Sequence, residues 1–387
     1  MRVTPRKKYL LTPGPTPVPE EILLTQAEPI IHHRTPEFKK IFTEVSEGLK
    51  YVFQTKNPVL VFSSSGTGAM ESAVANLKQD GIKFLSVMGG KFGERWTEIC
   101  KAFGADCEVL EVKWGQSPDT KDIETKLSGD KAIKVILTTL CETSTGSVYD
   151  VKAIAKIAKK YDALVVVDAI SGLLADEFRM DDWGIDIAIA GSQKGLMLPP
   201  GLSFISLSGR AWEYVDKSKP QAYYFNLKKA MSSGEKYDTP WTPAVSLVIG
   251  LRKALELIKE EKIENVWKRH NFLAATCRQA IEGLGLKLFA QNPSSAVTSV
   301  MMPDSIDSAE FVKFIRNEFG ISIAGGQGAL KGKIFRIAHL GYMNIFDLLV
   351  GIAAIEFALH NFGYKFSLGK GILKLEEEFL KEYKKEI

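Results

Sequence analysis

The chain has 387 residues, enough for about two domains around one sizeable core, and its 45% hydrophobic and 25% charged content excludes a disordered chain. Its 50 Lys and Arg stand against 46 Asp and Glu, a net charge of +4; no basic stripe is interleaved with aromatics, so no nucleic-acid partner is expected. Four cysteines without CxxC spacing and five histidines that complete no zinc pattern fit a reducing compartment and no metal.

Met1–Lys8 is basic, but Tyr9-Leu10-Leu11 runs straight into Thr12-Pro13-Gly14-Pro15, so no secretory leader is expected. No apolar run reaches membrane-spanning length, and a soluble cytoplasmic protein without membrane contact is expected. Residues 12–19, TPGPTPVP, are neither helix nor central strand, because repeated proline fixes φ and removes donors. They read as an ordered arm over the surface or a partner subunit, and bare Gly14 offers its backbone to a substrate. His32-His33-Arg34 follow; adjacent histidines in a strand face opposite ways, which argues against a shared metal. Residues 36–53 carry Phe38, Ile41, Phe42, Val45, Leu49 and Val52 at helical spacing, with Pro36 in the first turn. Next come a strand at 59–62, a polar turn from Ser63 to Gly68, and a helix over 69–78. Strand, Gly-rich turn and helix make a phosphate cradle. Glu71 holds the third position of a G-x-G-x-x-G pattern and no G-x-x-x-x-G-K-[ST] loop exists, which disfavours a dinucleotide and fits a lone phosphate monoester.

Phe84–Met88 is predicted as a strand, and Gly89-Gly90 leads into a helix. Phe92 is expected in the glycine-flanked loop, as a core aromatic or as a ring stacked on a planar cofactor. The strand at 133–139 ends in hydroxyls from Thr138 to Thr145. These either bond a cofactor's ring substituents or cap the helix at 151–160, for which Asp150 is the better candidate. Ala163–Val167 and Ile185–Ala190 read as buried parallel strands, and they deliver Asp168 and Lys194 to one rim of the sheet, where ligands of open α/β sheets bind. A lysine can hold pyridoxal phosphate as a Schiff base and an aspartate can keep its ring nitrogen protonated. The plain alternative is a capping aspartate and a solvated lysine. Residues 220–243 read as a long aromatic-rich loop before a helix over 244–260. From residue 263 the pattern changes to a smaller α+β unit, ending in an amphipathic helix at 370–387. In it Arg336 sits among Ile334, Phe335, Ile337 and Ala338, either on a solvated face or as a clamp for a carboxylate.

With TPGPTPVP, HHRTPEF, SSSGTGAME, GGKFGERW, ETSTG, VVVDAISG, GSQKGLMLPPG, TPWTPAVS and FRIAHLGY in order, and Asp168 and Lys194 standing 26 positions apart, the chain resembles the class V aminotransferases of fold-type I. The alanine–glyoxylate and serine–pyruvate branch is the most similar. The resemblance implies an α/β fold: an arm over 1–18, a large cofactor domain with a mainly parallel sheet over 19–262, and a small α+β domain over 263–387. It implies that Lys194 carries pyridoxal 5'-phosphate and that Asp168 pairs with its pyridinium. Ser65, Gly66 and Thr67 would hold the phosphate and Phe92 would stack on the ring. Thr143 and Gln193 would lie by the phenolic oxygen and the phosphate. Thr239 and Thr242 would reach the phosphate of a neighbouring subunit in a homodimer with shared sites; many relatives carry tyrosine in place of Thr239. Arg336, with Gly14 nearby, would bind the substrate. The implied reaction moves an amino group from alanine or serine to glyoxylate or pyruvate by a ping-pong route. Arg34 or Arg95 could read a second carboxylate, which keeps aspartate or phosphoserine open as donors. A cysteine desulfurase-like lyase is disfavoured, because Phe92 stands where such enzymes carry histidine and residues 325–333 hold no cysteine.

Overall fold

The computed structural model describes residues 7–386. The first six residues of the expected arm, with most of its basic start, and Ile387 of the expected end helix lie outside the described residues.

After β1 (Tyr9–Leu10), the TPGPTPVP stretch runs without helix or strand to α1 (Glu20–Gln26). His32 and His33 lie in a turn, not a strand, and their rings stand 4.7 Å apart rather than on opposite faces. Thr35 then caps α2 (Pro36–Phe53), its hydroxyl accepting from Phe38 N at 3.3 Å. The apolar stripe of α2 is buried, and each large side chain there contributes about 1.5–3 kcal/mol of burial.

Strands and helices then alternate: β2 (Val59–Phe62), α3 (Gly66–Leu77), β3 (Lys83–Met88), α4 (Lys91–Ala102), β4 (Cys107–Glu111), α5 (Thr120–Gly129) and β5 (Ile133–Thr139). A small hairpin of β6 (Cys141–Glu142) and β7 (Ser147–Val148) precedes α6 (Val151–Lys160), which Asp150 caps through Ala153 N at 2.9 Å. After β8 (Leu164–Asp168), the one-turn α7 (Met180–Trp183), β9 (Ile187–Gly191) and β10 (Ser203–Leu207) come α8 (Gly209–Lys217), α9 (Leu227–Gly234) and α10 (Val245–Glu261). Three local expectations are corrected. α3 begins at Gly66, three residues early. Phe92 belongs to the first turn of α4, not to a loop. Residues 220–243 contain α9, which Asn226 caps through Lys229 N at 3.0 Å.

The seven strands order as β2-β10-β9-β8-β5-β3-β4, and β10 alone runs antiparallel to its neighbours. β8 and β9 are buried along their whole length. That burial follows from helices on both faces: α2, α6 and α10 pack on one side, α3, α4 and α8 on the other.

The rest of the chain builds α11 (Ile263–Gly283), β11 (Lys287–Leu288), β12 (Val297–Met301), α12 (Ser308–Phe319), β13 (Ile321–Ser322), β14 (Ala324–Gly325), β15 (Ile334–Ala338), α13 (Ile345–Asn361) and α14 (Lys370–Glu386). β11, β12, β15 and β14 form a four-stranded antiparallel sheet. Its core takes in Leu11 from the arm, and β1 pairs in parallel with β13. The arm is thus stitched to this second sheet before it returns to the first, where Thr16 Oγ1 donates to Lys194 O at 3.1 Å. Among the described residues no helix is long and apolar enough to cross a membrane.

Candidate active site

Parallel pairing aligns the carboxyl ends of β5, β8 and β9, with Thr139 opposite Asp168 and Asp168 opposite Ile189. Asp168 is therefore the last buried residue of its strand, and the turn after β9 brings Gln193 and Lys194 to the same rim. Both charged groups are buried. Burial lifts the Asp168 carboxyl to about 6, opposed by Ile170 N, which donates to Oδ1 at 2.8 Å, and by the charges of Arg95 and Lys194. Burial brings the Lys194 ammonium down to about 8. This rules out the plain alternative of a solvated lysine. Lys194 Nζ donates to the carbonyl of Pro13 in the arm. Gly14, at φ +122°, lies so close that a Cβ there would land on the Lys194 amine.

Beside them α3 begins without a side-chain cap: Ser65 is the N-cap residue, and Gly66 and Thr67 form the first turn. Free N–H groups at such an end attract an anion. Gln193 Oε1 and Gly66 N both lie beside Gly191, 3.3 and 3.7 Å from where its Cβ would stand. Gln193 Oε1 is buried without a partner among the described residues, as are Thr138 Oγ1 and Thr139 Oγ1. Buried polar atoms without partners are uncommon.

The β6–β7 hairpin holds three elements together. Thr143 Oγ1 donates to Ser171 Oγ at 2.7 Å after β8, and Thr143 O accepts from Arg336 Nη1 at 2.8 Å. Arg336 Nε and Nη2 bond Gly325 O at 3.1 and 2.8 Å. The arginine is buried, not on a solvated face, and burial lowers it only to about 10, so it remains a cation. Glu142 was not singled out as a functional residue from the sequence; the signal was its place in ETSTG. Its carboxylate is buried at the start of α4 and accepts from Phe92 N at 3.1 Å, Gly93 N at 2.9 Å and Ser144 Oγ at 2.5 Å. Burial raises its pKa and these donors oppose the rise. Phe92 is thereby held at the rim by its backbone.

The remaining expected residues stand elsewhere. Arg34 pairs with Asp238 and is half exposed. Thr239 Oγ1 donates to Trp241 O at 2.7 Å and Thr242 is exposed. Within one chain neither threonine is bonded to the residues around Lys194. Arg95 is at the rim, with Nη1 donating to Thr67 Oγ1 at 3.2 Å.

The assembled set is a desolvated amine, a buried carboxylate, an uncapped helix end, unpaired hydroxyl and amide oxygens and a buried guanidinium. It could hold a planar phosphorylated cofactor with a carboxylate substrate, and the open α3 terminus beside the desolvated Lys194 amine fits pyridoxal phosphate. Among the described residues no group of three or more His, Cys, Asp or Glu is placed to hold a metal ion.

A family model described as aminotransferase class-V matches residues 8–341. The chain is 39% identical to a protein named soluble hydrogenase, small subunit, of Synechococcus sp., over 95% of this chain and 97% of that one. It is 36% identical to the serine–glyoxylate aminotransferase of Hyphomicrobium methylovorum, over 98% and 96%. Among solved structures it resembles the ureidoglycine–glyoxylate aminotransferase of Bacillus subtilis, with a TM-score of 0.92, 29% identity, and 98% and 100% of the two chains covered.

Proposed function

Because the chain belongs to the class-V aminotransferases, we propose that it moves the amino group of serine or alanine to glyoxylate or pyruvate, using pyridoxal phosphate held at Lys194. The observation that supports this most is that Lys194 and Asp168, both buried and both shifted toward neutral pH, stand just beyond and at the ends of adjacent parallel strands. The glyoxylate acceptor is favoured by the names of the serine–glyoxylate and ureidoglycine–glyoxylate relatives.

Pyridoxal phosphate, when bound, supplies an electron sink that makes the Cα proton of an amino acid acidic. The chain's own residues do the rest. Lys194, whose ammonium burial brings down to about 8, would act as the base for the Cα proton, holding it on Nζ and returning it on the other side of the nitrogen being transferred. Asp168 would keep a proton on the ring nitrogen. Ser65, the first-turn N–H groups of Gly66 and Thr67, and the side-chain amide N–H of Gln193 would hold the phosphate. Phe92 would offer its face to the ring, and Thr143 would lie by the phenolic oxygen. Arg336 is anchored through three N–H groups and has two left for the substrate's α-carboxylate. Gly14 leaves that approach open. Thr239 and Thr242 would serve the site of a second subunit, which makes a homodimer the proposed working form. The cofactor would carry the amino group between donor and acceptor, so ping-pong kinetics are expected.

The test is the visible spectrum of the protein with added pyridoxal phosphate, then with L-serine, L-alanine or L-aspartate, then with glyoxylate. The band bleaches with serine or alanine and returns with glyoxylate. Bleaching by aspartate alone would move the donor to the dicarboxylates, and a band that no amino acid bleaches would reject transamination. Lys194→Ala with full turnover would reject the role of the lysine.

A further inference from the structure

Arg95 lies on α4 one turn beyond Phe92, and its guanidinium carbon stands 4.8 Å from the centre of that ring. Thr67 Oγ1, in the first turn of α3, is its hydrogen-bond partner at 3.2 Å, and no carboxylate pairs with it among the described residues. One of its five N–H donors is therefore used. The side chain is partly buried, and its charge still reaches both Asp168 and Lys194. A partly desolvated cation with one hydroxyl partner lacks an anion.

The helices α3 and α4 start side by side at this rim. The end of α4 already has its anion, the buried carboxylate of Glu142, with Ser144 Oγ accepting from Lys91 N at 3.0 Å. The end of α3 has no side-chain cap. An anion bound by the N–H groups of Gly66 and Thr67 would lie against the hydroxyl that Arg95 already touches. The carboxylate clamp, Arg336, is fixed from a different side by Gly325 and Thr143. Arg95 is thus turned to the phosphate end of the site and away from the substrate end.

We propose that Arg95 is the counter-ion of the cofactor's phosphate, delivered by α4 of the same chain that supplies the α3 helix end. This rests on the reading that the chain binds pyridoxal phosphate. An arginine fork matches two phosphate oxygens, so charge and geometry both favour the pairing. It also couples the two helices, since the residue that stacks on Phe92 would hold the anion on α3.

The experiment measures equilibrium binding of pyridoxal phosphate and of phosphate-free pyridoxal to apoprotein of the wild type, Arg95→Gln and Arg95→Lys. Arg95→Gln should weaken pyridoxal phosphate about 10- to 100-fold, while pyridoxal changes less than about twofold. Arg95→Lys should lose less, because it keeps the charge without the fork. Equal weakening of both ligands would overturn the proposal and make Arg95 a packing residue behind Phe92. Unchanged binding of both, with a raised KM for aspartate and not for serine, would overturn it in favour of a second substrate carboxylate. A wild-type protein that takes up no pyridoxal phosphate would overturn the underlying reading as well.

Discussion

Burial brings Lys194 down to about 8, so its amine passes from charged to nucleophilic near that pH. The rate at which apoprotein takes up pyridoxal phosphate should rise through about pH 8 and level off above it, read by stopped-flow absorbance. A rate still climbing beyond pH 10 would mean a lysine of ordinary basicity. Arg336 carries a different kind of prediction. Its guanidinium is a rigid fork already aimed by Gly325 O and Thr143 O, so Arg336→Ala should raise the KM of the amino donor about 10- to 100-fold. Arg336→Lys should restore part of that, and an unchanged KM would remove the clamp from the mechanism. Both residues were visible in the sequence as candidates. What each one does was not, because an arginine between apolar neighbours reads equally as exposed or buried until the strand is packed. The two apolar residues on either side of it give no sign of which carbonyls will receive it.

At the scale of elements, α3 and α4 meet the same need in two ways. Each starts at the rim with unpaired N–H groups. In α4 they are filled by Glu142 and Ser144, and in α3 by no side chain of the first turn. Glu142→Ala would leave the Phe92 and Gly93 amides and the Ser144 hydroxyl without their acceptor. It should cost about 1–3 kcal/mol in urea unfolding and loosen Phe92, seen as a weaker near-ultraviolet dichroism of bound cofactor. Unchanged stability would show that water replaces the carboxylate. Asp150→Ala is a useful contrast: it should cost about 1 kcal/mol through the loss of the α6 cap and leave kinetics alone. The α6 cap was legible because Asp150 is local to its helix. The start of α4 was not, because the carboxylate that Phe92 N meets comes from 50 residues away, and the flanking glycines suggest a loop. The early start of α3 was hidden for a related reason. Gly66 and Gly68 disfavour helix locally, yet Ile170 and Phe225 come so close that a Cβ at these positions would collide with them.

Across the whole molecule, the two sheets are joined through the site. The arm pairs with β13, gives Leu11 O to Ala338 N at 2.9 Å and reaches Lys194 through Thr16 and Pro13. From the other side, His270 Nε2 accepts from Gly341 N at 2.9 Å, and His339 Nε2 meets Thr298 Oγ1 at 2.9 Å. Burial holds both imidazoles down to about 3. In the unfolded chain they would titrate near 6.5, so between 6.5 and about 3 the unfolded state binds more protons. Stability should therefore fall as pH drops through that window. Unfolding followed from pH 7 to 4 should lose this acid dependence in part in His270→Gln, which keeps an amide for Gly341 without a titrating group; an unaltered pH profile would assign the acid sensitivity to other groups.

The sequence by itself determined the alternation of strands and helices, the family, and the residue types that reach the rim, because hydrophobic periodicity, glycine turns and strand-end polar residues are local signals. Tertiary structure alone decided which of them meet. The burial that shifts Lys194 and Asp168, the anion that starts α4, the carbonyls that aim Arg336 and the contact of Arg95 with Thr67 all join residues far apart in the chain. Their energies depend on desolvation and distance, and neither exists until the two sheets are packed.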